Sequence, residues 1–287
     1  MNMHRILRAI SGIALLAVAL PAAAQFNWRS LDLNRLKDTV TNVVQATSDM
    51  SEKQEADLGR EWASVLVGAA PLVADPELER YVNSVGRWVA LHSERPGLDW
   101  RFGILDSPNV NAFATPGGYI FITNGLLRRM HSEAELAGVL AHEIVHVVRK
   151  HHLKAIQKGA AMAAGANVLA EVADRRTRNA DAVNKLVGGI KEVMLRGLDK
   201  DDEFEADRMG VVLAARAGYD PYGLPAVLQM IQGMNPASSE LSLMFETHPA
   251  PGARLDALER VMSPALDAYA GQPQVADRFT ARVLARR

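Results

Sequence analysis

Apolar residues recur along this chain with helical spacing over most of its length and with strand-like alternation in one short region. Leu58, Trp62, Val65 and Leu66 share one face after Ser51. Leu78, Tyr81, Val82, Val85 and Val89 share another after Asp75-Pro76, where proline stands at the first helical position. Two helices are therefore predicted between Ser51 and His92. At Trp100 the period changes to two. Phe102 and Ile104 fall on one side of Arg101 to Leu105, Val110 to Ala114 is short and mixed, and Tyr119 to Thr123 is aromatic and β-branched, with Pro116-Gly117-Gly118 between the last two runs. These runs predict a small, largely antiparallel sheet. Its short run could pair inside the sheet, or could stand at an edge and offer Asn111, Ala112, Phe113 and Ala114 to an extended peptide.

Helical spacing returns in SEAELAGVLAHEIVHVVRKHH, Ser132 to His152, after an Asn124-Gly125 turn. Leu136, Val139, Leu140, Ile144 and Val147 make its apolar face, and Ser132 with Glu135 makes a capping-box start. Gly159 to Ala170 is uncharged and alanine-rich, too short and too weakly apolar to span a bilayer, so it is read as a tightly packed helix. Another helix is predicted over residues 199–217, closed by Gly218 and Asp220-Pro221. No repeat with a period of 20 to 50 residues is present. The fold class is α+β, mainly helical, with the sheet preceding the 132–152 helix.

A 48% hydrophobic content over 287 residues supports a real core. Arg5 and Arg8 precede a charge-free run, Ala9 to Ala24, that closes with an A-x-A pattern; this predicts a secretory signal over residues 1–24, cleaved after Ala24. The run is shorter than the roughly 20 residues of a spanning helix, which argues against an anchor. The exported chain, expected in the periplasm, then has an arm over 25–50, a main domain over 51–270 and a C-terminal tail over 271–287. Loss of Arg5 and Arg8 leaves 30 basic against 33 acidic residues, a net charge of −3, which provides no general attraction to nucleic acid. Arg175, Arg176 and Arg178 are read as a solvated loop. The chain has no cysteine, so disulfides, thiolate ligands and cysteine nucleophiles are excluded.

With thiolates excluded, any metal must rest on His, Asp or Glu. His142 and His146 are four apart, about 40° round a helix and about 6 Å along it, so both imidazoles can reach one ion, with Glu143 beside them. That is the H-E-x-x-H arrangement of a zinc hydrolase. A third ligand is needed. Acidic residues at a helix start also stabilise its dipole, which by itself accounts for Asp199, Asp201 and Asp202. Glu203 and Asp207 share one face of the same helix. If Glu203 is the ligand, Asp207 stands one turn away, where it could accept the second N–H of a ligand histidine. His248, in a loop, could swing into the site or remain an ordinary surface histidine. His131, His151 and His152 have no partner spacing and are read as surface or outer-sphere residues.

Four ordered motifs, NVNAFATPGGYIFITNGLL (109–127), HEIVH (142–146), EFEAD (203–207) and THPAPGAR (247–254), resemble the zinc metallopeptidase family that includes the CAAX-prenyl proteases and the bacterial HtpX-like and BepA-like proteases. The resemblance runs from about Ser51 to Val261. It implies a zincin-like metalloprotease domain of the gluzincin type with one Zn2+ per chain on His142, His146 and Glu203. It also implies Glu143 as catalytic base, Asp207 supporting the ligand histidines with Arg254 nearby, and His248 as a fourth ligand or latch. HtpX-like and prenyl-protease members have transmembrane helices, which the mature chain is not expected to have. BepA-like members carry a tetratricopeptide array, and this chain ends soon after Val261, so recruitment through such an array is not expected. The expected function is zinc-dependent cleavage of unfolded or misassembled outer-membrane proteins in envelope quality control, with peripheral contact to the outer membrane or its assembly machinery. The rival expectation is a periplasmic holdase or assembly factor whose zinc site is latent or structural.

Overall fold

The structure, a computed structural model, describes residues 50–165, 197–262 and 264–285. The predicted signal segment, the arm up to residue 49, the end of the alanine-rich run and the arginines at 175, 176 and 178 lie outside the described residues. Helix α1, Glu52–Ala69, starts with a complete capping box between Ser51 and Gln54. Helix α2, Pro76–Ala90, starts at Asp75, whose carboxylate accepts from the N–H groups of Glu77 and Leu78. Both helices bury the faces that their spacing predicts, with Leu58, Leu66, Leu78 and Val82 fully enclosed.

Three strands follow: β1 (Arg101–Leu105), β2 (Ala112–Thr115) and β3 (Tyr119–Thr123), in the order β1-β3-β2. β2 pairs antiparallel with β3, and β1 pairs parallel with it. The sheet is therefore mixed rather than largely antiparallel. Side-chain alternation is the same for either sense of pairing, and the chain reaches β1's partner only after passing through β2, so β1 and β3 run the same way. The Pro116–Gly118 turn between β2 and β3 folds down on α1. Gly117 has φ +76°, and a Cβ there would lie 2.6 Å from the Cα of Ala56, so the turn requires glycine on both counts.

After the single turn α3, Asn124–Leu127, the chain enters α4, Glu133–Val148, whose residues are all buried from Glu133 to Val147. A helix enclosed on every side is the centre of its fold. Around it stand the sheet, α2, α6 (Lys200–Arg216) and α7 (Gly223–Gln232). α6 makes the closest approach. A Cβ at Gly210 would lie 3.1 Å from the backbone of His142, so glycine lets the two backbones meet and brings α6 carboxylates within reach of α4 histidines. Ser132 caps α4 by accepting from Glu135 N–H, while Glu135 turns back to the N–H of His131.

The predicted 132–152 helix is two helices. α4 ends at Val148, Lys150 takes a left-handed conformation with φ 58°, and α5 runs from His151 to Gly165. Beyond α8 (Ser242–Thr247) and α9 (Pro251–Met262), the stretch set apart by sequence as a tail returns to the core. α10 (Ala276–Phe279) and the wider turn after it bury Phe279 and Val283 completely against α4 and α2. Arg278 grips the Glu133 carboxylate at the start of α4, as do the hydroxyls of Tyr81 and Tyr219 at 2.8 Å. No helix among the described residues is long and apolar enough to cross a membrane.

Candidate metal centre

His142 and His146 stand one turn apart on α4 with their Nε2 atoms 3.0 Å from each other. Glu203, in the first turn of α6, places Oε1 3.5 Å from His146 Nε2 and Oε2 3.7 Å from His142 Nε2. Donors about 2.0–2.2 Å from one tetrahedral ion are about 3.3–3.5 Å apart, so these three side chains fit a single cation. His248, at the end of α8, sets Nδ1 2.6 Å from Glu203 Oε2 and clusters with His142 and Glu203 at metal-binding spacing. The fourth position thus has a protein side chain beside it.

The electrostatics suit a cation. Burial would raise the Glu203 carboxyl, but His248, His142 and Arg254 outweigh it and hold the group below the usual carboxylate range. Burial, reinforced by the surrounding histidines, pushes His146 well below the ordinary histidine value, which keeps it the neutral imidazole a metal requires. Burial pushes Glu143 up from the usual carboxylate range, the direction that favours taking up a proton.

Each of the two α4 histidines is held from behind. Asp207 Oδ1 lies 3.0 Å from His142 Nδ1, so that nitrogen donates to the carboxylate and leaves Nε2 free for a metal. Arg254 in turn clasps Asp207 with Nε at 2.8 Å and Nη2 at 2.5 Å. Asp207 is fully enclosed and Arg254 only 5% exposed. Burial opposes the charge on Asp207, yet Arg254 holds its carboxyl far below the usual range. Arg254 Nη2 is also 3.3 Å from His142 Nδ1, a contact between two donors once the imidazole proton points at Asp207.

Behind His146 stands a residue that spacing did not single out. His151 is completely buried, with Nδ1 2.9 Å from His146 Nδ1. Its neighbour His152 packs edge-on against Trp62 and faces His146, and burial drives it down to about 3. His131 is exposed. The signal that could have found His151 is a helix break just before it, which the sequence does not announce.

A narrow cleft opens beside the donors, lined by Trp62, Glu143 and His248 and by Ala112, Phe113 and Ala114 of the edge strand β2. Asn111 lies just before β2, buried, with its backbone N–H bonded to Thr123 Oγ1. A second small cavity, lined by Val139, Leu224, Val227 and Met244, also borders Glu143.

Residues 76–262 match the model of peptidase family M48. The chain is 32% identical over 225 residues to the beta-barrel assembly-enhancing protease of Escherichia coli (strain K12), covering 76% of this chain and 46% of that protein. It is 30% identical over 218 residues to the protein of the same name from Yersinia pestis, covering 74% and 44%. It is 33% identical over 183 residues to the mitochondrial metalloendopeptidase OMA1 of Arabidopsis thaliana, covering 63% and 36%. The chain spans about half the length of the beta-barrel assembly-enhancing proteases it matches.

Proposed function

The chain belongs to peptidase family M48, and from that premise we propose that it is a zinc metalloendopeptidase of the periplasm that cleaves unfolded or misassembled outer-membrane polypeptides. The observation that carries the proposal is the donor set on α4 and α6, three side chains whose donor atoms lie 3.0–3.7 Å apart, with Glu143 next to them and bordering both cavities. His142, His146 and Glu203 would hold the ion, which would supply Lewis-acid polarisation of the scissile carbonyl and a water of lowered pKa, about 7. Glu143 receives the proton of the attacking water and passes it to the leaving amine. β2 aligns an extended peptide along the cleft by strand addition, which favours unfolded chain over folded protein. Asp207 and Arg254 fix the orientation of His142. The segment 1–24 directs export, the main domain covers 51–270, and a substrate source in outer-membrane assembly is suggested by the names of the bacterial relatives.

The 2.6 Å contact of His248 with Glu203 favours a second reading, in which the site rests closed. A four-ligand site has no room for water, and the chain would then act as a holdase until His248 moves away. Casein digestion by the metal-loaded chain, with and without chelator, separates the two. Chelator-sensitive cleavage by both wild type and His248→Ala supports the open protease, and cleavage by His248→Ala alone supports a latched one. Failure of both metal-loaded chains to cleave would reject the peptidase.

A further inference from the structure

Metal ligation through His146 Nε2 leaves the proton of that ring on Nδ1, where it must find an acceptor in a buried site. Among the described residues it meets His151 Nδ1 at 2.9 Å. To accept there, His151 must carry its own proton on Nε2. That nitrogen is buried, makes no closely aligned hydrogen bond among the described residues, and lies near two carboxylates of α6, Glu205 at 3.4 Å and Asp202 at 3.6 Å. A proton on Nε2 thus meets negative charge, whereas a bare lone pair would face it. We infer that His151, backed by Asp202 and Glu205, is a positioning residue that fixes the tautomer and ring orientation of His146 for the metal. It does for His146 what Asp207 does for His142.

The local fold supports this role. Lys150 adopts φ 58° between α4 and α5 and reaches Glu55 with Nζ at 3.2 Å. Glu55 is itself held by Arg95 at 2.7 Å and accepts from the Gly117 N–H. The break that turns the chain, and so brings His151 back onto His146, is therefore anchored to α1 and to the β2–β3 turn. Arg149, one residue before the break, pairs with Glu205 at 3.1 Å and keeps that carboxylate beside His151.

The same three side chains, His151, Asp202 and Glu205, have the spacing of a second cation site. The 2.9 Å contact decides against it. A cation on His151 Nε2 would send that ring's proton to Nδ1, directly against the Nδ1 proton of a metal-bound His146, and two donors cannot share that contact. No second metal is therefore expected on these three side chains.

This inference rests on the zinc assignment to His142, His146 and Glu203, and the test separates the two. Zinc affinity is measured by chelator competition, and the absorption of the cobalt-loaded chain is recorded, for wild type, His151→Leu and His151→Asn. Asparagine keeps an acceptor near the position of Nδ1, and leucine does not. Affinity should fall about 10–100-fold in His151→Leu, with an altered cobalt spectrum. His151→Asn should restore both, and the melting of the metal-free chains shows whether each variant folds. Wild-type affinity in His151→Leu overturns the relay, as does equal loss in both variants, which would mean that the ring only fills space. Two zinc ions bound to wild type, the second lost in Asp202→Asn with Glu205→Gln, would also overturn it, in favour of the second site. A folded wild type that takes up no zinc would reject the metal assignment itself, and this inference with it.

Discussion

Arg254→Met removes one partner from an ion pair that the fold encloses almost completely. Arg254 is 5% exposed and Asp207 is fully buried, with two donor contacts at 2.8 and 2.5 Å between them. Methionine fills most of the stem volume, so the lost guanidinium, rather than a cavity, dominates the effect. Breaking a buried pair from one side costs about 3–5 kcal/mol, because the remaining charge is left without compensation. For a chain of this size that corresponds to a fall in Tm of about 6–20 °C, at about 2–4 °C per kcal/mol. Urea unfolding of the metal-free protein at neutral pH, followed by far-UV circular dichroism, isolates this from any effect of metal. The double variant Asp207→Asn with Arg254→Met leaves no charge behind and should be more stable than the single one. A single variant within about 1 kcal/mol of wild type would mean that the pair behaves like a surface contact, and the buried-clamp account would be wrong. A double variant less stable than the single one would be equally damaging.

The remaining predictions concern the metal and the acid limb of stability. Glu143→Gln should retain zinc and lose about 10²–10⁴-fold in casein cleavage, and an undiminished rate in metal-loaded protein would remove Glu143 from the chemistry. Glu203→Ala should lose zinc by metal analysis, whereas full occupancy would place the third ligand elsewhere. Far from the metal, burial would raise Glu133, but Arg278, Tyr219 and Tyr81 hold it below the ordinary value of 4.5. A folded pKa below the unfolded one means that this carboxylate's contribution is complete above about pH 4.5 and is lost as pH falls through the lowered value. Arg278→Met should therefore flatten the fall of Tm on acidification, and a limb parallel to wild type would show that Arg278 does not set that shift.

Much of the site was legible because its main parts are local. His142 and His146 lie four residues apart, as do Glu203 and Asp207, and helix geometry converts each spacing into a shared face without knowledge of the fold. The expectation that a carboxylate must join the two histidines then linked α4 to α6, and the close approach that permits the link is visible only in the fold, where Gly210 meets the backbone of His142. The direction of β1 was not legible, since the alternation of Phe102 and Ile104 carries no sign of parallel or antiparallel pairing. His151 was hidden for a different reason. A continuous helix from Ser132 would turn His151 about 140° round the axis from His146, and a residue on that face has no reason to approach it. The left-handed Lys150 cancels that separation. No sequence rule places such a conformation at a lysine, because lysine there carries the steric cost that glycine escapes. That cost is met by contacts from α1 and the β2–β3 turn through Glu55, so the surroundings of His146 depend on residues that meet only after the chain has folded.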